Sequence, residues 1–142
     1  MQTNPVPDLL IDVLREAFAL YAMTHLFHWN VRGPNFPQLH KLMNDQYDGI
    51  WQELDTLAER ARGVGTLIPA DVFVAPKAPA RVDAKAMVQK LLQGNVALSK
   101  SMLKALDAAN KANDQGTVNM LGGMIEYHDK NAWMLRSTLY DG

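Results

Sequence analysis

A chain of 142 residues, 48% hydrophobic and 20% charged with a formal net charge of -1, is sized for one domain that buries a full core. That balance gives no whole-chain attraction to nucleic acid or anionic membrane, and the absence of cysteine excludes disulfides, thiolate metal sites and cysteine nucleophiles. No apolar run approaches the roughly 18 residues of a membrane span, and the first residues lack a basic then apolar leader, so a cytoplasmic protein is expected.

Pro5 and Pro7 are expected to hold the start of the chain extended. Leu10, Leu14, Ala17, Phe18, Tyr21, His25 and His28 then recur at helical spacing, which predicts a first helix over residues 8 to 32. Gly33-Pro34 stops it. With Asn35 as N-cap and Pro37 in the first turn, a second helix is predicted over 36 to 63, with Leu39, Met43, Tyr47, Ile50, Leu54, Leu57 and Ala61 as its core stripe. Pro69, Pro76 and Pro79 mark a long crossover with one helical turn near residues 70 to 73. Asp83 caps a third helix carrying Met87, Leu91, Val96, Leu98, Met102, Leu103 and Leu106. A fourth runs from about Thr117 to Leu139, with Leu121, Met124, Ile125, His128, Ala132, Leu135 and Leu139 on one stripe. Residues 1–142 therefore read as one all-α domain, a four-helix bundle whose second and third helices are joined by a long crossover, the ferritin-like arrangement.

Bundles of that kind often carry a di-iron centre built from Glu-x-x-His motifs, and this chain contains none. A conventional centre within one chain is not expected. The candidate ligands are His28, His40, Asp55 and Glu59. Asp55 and Glu59 stand at i and i+4, on one face of the second helix. His40, Asn44, Asp48, Trp51, Asp55 and Glu59 follow one flank beside the core stripe, which suggests a second interface. His40 and Asp55 are 15 residues apart, roughly 22 Å along a helix, too far to bind one ion in one chain. Antiparallel pairing of two copies of this helix about residues 47 and 48 would bring His40 opposite Asp55 of the second copy and Asn44 opposite Trp51. His28 would join His40. Two imidazoles with carboxylates and open positions suit Fe(II), with zinc or manganese as substitutes. His25 and His128 fall on core stripes and read as packed residues, Trp51 as an interface anchor, and Glu53 and Asp48 as surface or interface charges.

His28-Trp29-Asn30-Val31-x-Gly33-x-x-Phe36, Leu39-His40 and Asp55-x-x-Ala58-Glu59-Arg60 resemble the signature of the Dps family of mini-ferritins, the DNA-protecting proteins of starved cells. Asn113-Asp114-x-Gly116-Thr117 and His128-Asp129-Lys130-x-x-Trp133-Met134-Leu135 are similar to that family's later turn and last helix. The resemblance implies a hollow dodecamer that oxidises Fe(II), preferring hydrogen peroxide to dioxygen, and stores Fe(III). It makes His28 and His40 ligands from one subunit and Asp55 and Glu59 ligands from its neighbour, with up to two iron ions per site, and sets Trp29 where it intercepts oxidising equivalents. Asn44 stands where an acidic ligand is common in the family. The first basic residue is Arg15, already inside the first helix, so tail-mediated DNA binding is not expected. The alternative is a non-catalytic metal-binding or DNA-associated cage with an impaired iron site.

Overall fold

Four helices carry most of the chain: α1 (Val6–Asn30), α2 (Phe36–Gly63), α3 (Ala84–Lys111) and α4 (Gln115–Thr138), with one 3-10 turn at Ala70–Val72 in the crossover from α2 to α3. The computed structural model describes residues 3–79 and 82–140, and among these there is no strand.

The local sequence accounts for each boundary. α1 begins earlier than expected, because Pro5 is its N-cap and Pro7 lies in the first turn, where a missing N–H costs nothing. The prolines therefore start the helix and do not hold the chain extended. α1 also ends at Asn30 and not at residue 32, since Val31 turns to φ -63° and ψ 142°. Gly33 follows at φ 123°, a conformation that a Cβ would strain. α2 spans the predicted residues, with Asn35 at the cap position. At α3, Asp83 accepts a hydrogen bond from the Ala86 amide at 2.7 Å. α4 starts two residues before the predicted Thr117, because Asp114 caps it by accepting from the Thr117 amide at 3.2 Å.

α1 pairs with α2 and α3 with α4, the two hairpins join where α1 packs on α3, and α2 meets α4 only sparsely. The core is continuous through Leu10, Ile50, Leu57, Leu91, Leu98 and Leu121. Gly94 lets α1 and α3 approach closely, as a Cβ there would lie 2.7 Å from Leu20 Cδ1. Leu103, expected in the core, is 50% exposed on the outer side of α3.

Polar side chains bridge the wider α2–α4 seam. Arg60 donates to Thr117 Oγ1 at 2.9 Å and to Asp114 Oδ1 at 2.6 Å. The Tyr127 hydroxyl donates to the Gln46 carbonyl at 3.1 Å, in space left by Gly49. His128, fully buried, lies 2.6 Å from Glu53 Oε2 through Nε2 and 2.8 Å from Asn95 Oδ1 through Nδ1. The Asn95 amide nitrogen donates to the Leu91 carbonyl, so its oxygen faces the imidazole and both ring nitrogens meet acceptors. Glu53 is thus an interior partner of His128, contrary to its reading as a surface charge; the α2–α4 gap leaves room for a carboxylate beside the core stripe.

Burial by itself would raise the Asp114 carboxyl, but hydrogen bonds from the Thr117 hydroxyl and amide and the Arg60 guanidinium outweigh it and hold Asp114 below its ordinary value. A carboxylate with a depressed folded pKa stabilises the fold above its unfolded pKa, and that stability is lost as pH falls through the folded pKa. Asp114→Ala is expected to cost about 1 to 2 kcal/mol at neutral pH, read by urea unfolding. The deficit should shrink below the ordinary carboxylate range, and an equal deficit in acid would refute the assignment.

Candidate metal centre

The last turn of α1 and the first turns of α2 meet around two histidines. The His28 Nδ1–H donates to the His40 carbonyl at 2.7 Å, and the His40 Nδ1–H donates to the His28 carbonyl at 2.8 Å. The rings lie 3.8 Å apart at an interplanar angle of 15°. Each imidazole is therefore oriented by the other residue's backbone, and the carbonyl at Nδ1 selects, for the neutral ring, the Nδ1–H tautomer with its lone pair on Nε2. Neither Nε2 has a hydrogen-bond partner among the described residues. His28 is buried and His40 half-buried. The sequence supports this locally: Gly33-Pro34 closes the turn so that residues 28 and 40 become neighbours across the two helices.

Aromatic rings surround the pair. His25 stacks on Tyr47 at 3.9 Å and lies 4.1 Å from Trp29, while Tyr47 meets His28 edge-on at 5.2 Å. Tyr21 is 5.0 Å from Trp51, and its hydroxyl is 2.9 Å from His25 Nδ1. Burial lowers the His25 pKa, with neighbouring His28 acting in the same direction against Asp48. Burial raises the Tyr21 phenol, assisted by Tyr47 and Asp48. Asn44, one turn beyond His40, accepts from the Tyr47 hydroxyl at 3.0 Å and donates to Asp48 at 3.1 Å.

Asp55 and Glu59 lie further along α2, exposed and without an ion pair among the described residues. Arg60 is engaged with Asp114 on the other side of the helix. Asp55 borders a groove of about 570 Å³ whose walls include Leu14, Phe18, Trp51, Ile68 and Phe73. No three His, Asp or Glu side chains gather closely enough to hold an ion among the described residues. Of the predicted ligands, the chain brings His28 and His40 together and leaves Asp55 and Glu59 apart from them.

This arrangement has relatives. A model of the ferritin-like domain matches residues 8–141. The chain is 34% identical over 127 residues to the DNA protection during starvation protein of Brevibacillus brevis, covering 84% of this chain and 85% of that protein. The chain belongs to the Dps family of ferritin-like proteins. The crystal structure of Dps from Staphylococcus aureus superposes with a TM-score of 0.90 at 30% identity, covering 99% of each chain. That of a Dps protein from Bacillus brevis gives 0.84 at 32% identity, over 99% of this chain and 100% of that one.

Trp29, singled out by the family resemblance, is 64% exposed beside the histidine pair, and Trp51, read as an interface anchor, is 56% exposed at the wall of the groove. The reading of His25 and His128 as packed, hydrogen-bonded residues agrees with their contacts. Sequence reasoning missed Glu53 and the bond between Tyr21 and His25. The first has no local signal, since its partner is 75 residues away; the second has one, an i, i+4 Tyr/His pair on a helix. Long-range ¹⁵N–¹H spectra of the metal-free protein at neutral pH should show protonated Nδ1 and bare Nε2 on both His28 and His40. The opposite tautomer on either ring would contradict the reciprocal lock.

Proposed function

We propose that this chain is an iron-storing and iron-detoxifying mini-ferritin, which oxidises Fe(II), preferentially with hydrogen peroxide, at sites shared between subunits and retains Fe(III) in a hollow dodecamer. The observation that carries the reading is the reciprocal lock between His28 and His40. It preorganises two imidazoles toward the Nδ1–H tautomer, whose Nε2 lone pair is what a metal ion requires.

Asp55 and Glu59 complete the donor set from a neighbouring copy. Their exposed carboxylates, unpaired among the described residues, the exposed Trp51 and the apolar groove beside Asp55 support a contact along this flank of α2. An isologous contact would create two equivalent sites, each joining the histidines of one subunit to the carboxylates of the other. Two imidazoles and two carboxylates accept iron as substrate, and zinc or manganese would compete for the same donors. Peroxide takes up two electrons, and two ferrous ions at one site supply them without releasing a radical. Trp29, exposed beside the histidine pair, intercepts oxidising equivalents that escape. Protection against oxidative damage follows from removing both reagents and needs no tail-mediated DNA binding.

One observation favours a second reading, a metal-binding cage with an impaired iron site. Asn44 brings no charge, and its amide is already engaged by Tyr47 and Asp48.

A subunit-mixing experiment tests the proposal. His40→Ala and Asp55→Ala should each abolish peroxide-dependent iron oxidation while leaving assembly intact. Assemblies reconstituted from an equal mixture should recover about a quarter of the wild-type activity, because half of the pairs are mixed and each mixed pair regains one complete site. No recovery would overturn sharing between subunits, and iron binding without oxidation in the wild type would favour the impaired cage.

A further inference from the structure

The four tyrosines differ in what their hydroxyls touch. Tyr47 donates to the amide oxygen of Asn44 and Tyr127 to the backbone carbonyl of Gln46, neither of which takes up a proton. Tyr140 is 77% exposed with no hydrogen-bond partner among the described residues. Tyr21 alone faces a base, His25 Nδ1 at 2.9 Å. The distinction matters for one-electron chemistry: a phenol that loses an electron becomes strongly acidic, so a tyrosine is readily oxidised only where its proton has somewhere to go.

We propose that Tyr21 and His25 form a proton-coupled redox pair, with His25 as the Nε2–H tautomer, which delivers an electron to the iron site through the rings of Tyr47 and His25. Tyr47 lies 5.2 Å from His28 on one side and 6.2 Å from Tyr21 on the other, and Trp51 closes the cluster 5.0 Å beyond Tyr21. The pairing rests on the iron-oxidation reading for its oxidant. When only one ferrous ion is present, it gives peroxide one electron, and the O–O bond breaks to hydroxide and a hydroxyl radical. The radical takes an electron from Tyr21 and becomes hydroxide. The Tyr21 O–H bond breaks, its proton moves to His25 Nδ1, and a neutral tyrosyl radical remains. A second ferrous ion later returns the electron, and His25 returns the proton. In sum, two ferrous ions and one peroxide become two ferric ions and two hydroxides, with the pair restored. Burial pushes the Tyr21 phenol up and the His25 imidazole down, both toward the neutral pair from which the transfer starts.

The test begins without iron. Metal-stripped protein is oxidised by azidyl radicals from pulse radiolysis, freeze-trapped and read by electron paramagnetic resonance. A tyrosyl signal with a deuterium-exchangeable coupling from the shared proton is expected. Tyr21→Phe should lose it, leaving tryptophan radicals, and so should His25→Gln, which keeps a hydrogen-bond acceptor but no base. A tyrosyl signal undiminished in either variant overturns the pair. In a second arm, wild-type protein loaded with one ferrous ion per site receives peroxide, and the same Tyr21 signal should appear. If the pair forms in the first arm but no iron is oxidised in the second, the pair stands and the iron reading falls. If iron is oxidised and the radical appears away from Tyr21, the relay falls.

Discussion

An α-helix rises 1.5 Å per residue, and on α2 that fixed spacing governs the chemistry open to the chain. His40 and Asp55 ride one uninterrupted helix of 28 residues, and no side-chain rotamer closes the roughly 22 Å between them. The proposed donor set, split in this way, could not close on one ion within a single subunit. The same helix, however, presents both halves on one flank, on either side of residues 47 and 48, so a two-fold contact centred there would reunite them. The exposed carboxylates, the exposed Trp51 and the groove it borders have no evident use in the isolated chain, and under the proposed assembly they share one.

The four histidines show how partners decide role. Backbone carbonyls hold Nδ1 of His28 and of His40, so each Nε2 lone pair stays available. His128 meets an oxygen at each ring nitrogen, so neither nitrogen is open to an ion, and it ties α2 to α3 and α4. That tie compensates for the sparse contact between α2 and α4, where the bundle is wide enough to house Glu53, Arg60 and Tyr127 instead of apolar side chains. In a ferritin-like bundle the interior is where a metal centre would be sought; here its carboxylate and imidazole face each other, and the side chains without such partners are His28 and His40 at the α1–α2 turn and the exposed Asp55 and Glu59 on α2. Breaking such a buried pair by removing one member leaves the other charge or dipole stranded, which makes this seam costly to alter.

Much of this was legible in the sequence because it depends on local physics. Helical period, the Gly33-Pro34 stop and the Asp83 cap placed α2 to the residue and α3 closely. Errors arose where two residue types compete for one task. The fixed φ of Pro5 and Pro7 suits an extended start, yet proline also starts helices; Thr117 suits the start of α4, yet Asp114 caps it more strongly. Leu103 follows the helical period of its neighbours yet faces outward, since apolar character alone does not say which side of a helix is covered. The histidine pair was visible as spacing, but its reciprocal bonding to backbone carbonyls was not, because side-chain-to-backbone contacts across a turn leave no residue signature. Glu53 was invisible for the stronger reason that its environment is made by α4.

Asn44 connects the candidate site to the aromatic cluster. Its amide accepts from Tyr47 and donates to Asp48, so it orients the ring lying between His28 and Tyr21 while contributing no charge toward a metal ion. A site with one fewer anionic donor holds a second ferrous ion less firmly, and occupancy by one ion is the condition under which peroxide receives a single electron. Under the proposed chemistry, the residue that weakens the two-electron route also positions the phenol through which the one-electron route is quenched. On this reading the amide at position 44 and the Tyr21–His25 bond belong together: the first raises the share of turnovers that generate a radical, and the second supplies the electron and accepts the proton that make such turnovers harmless.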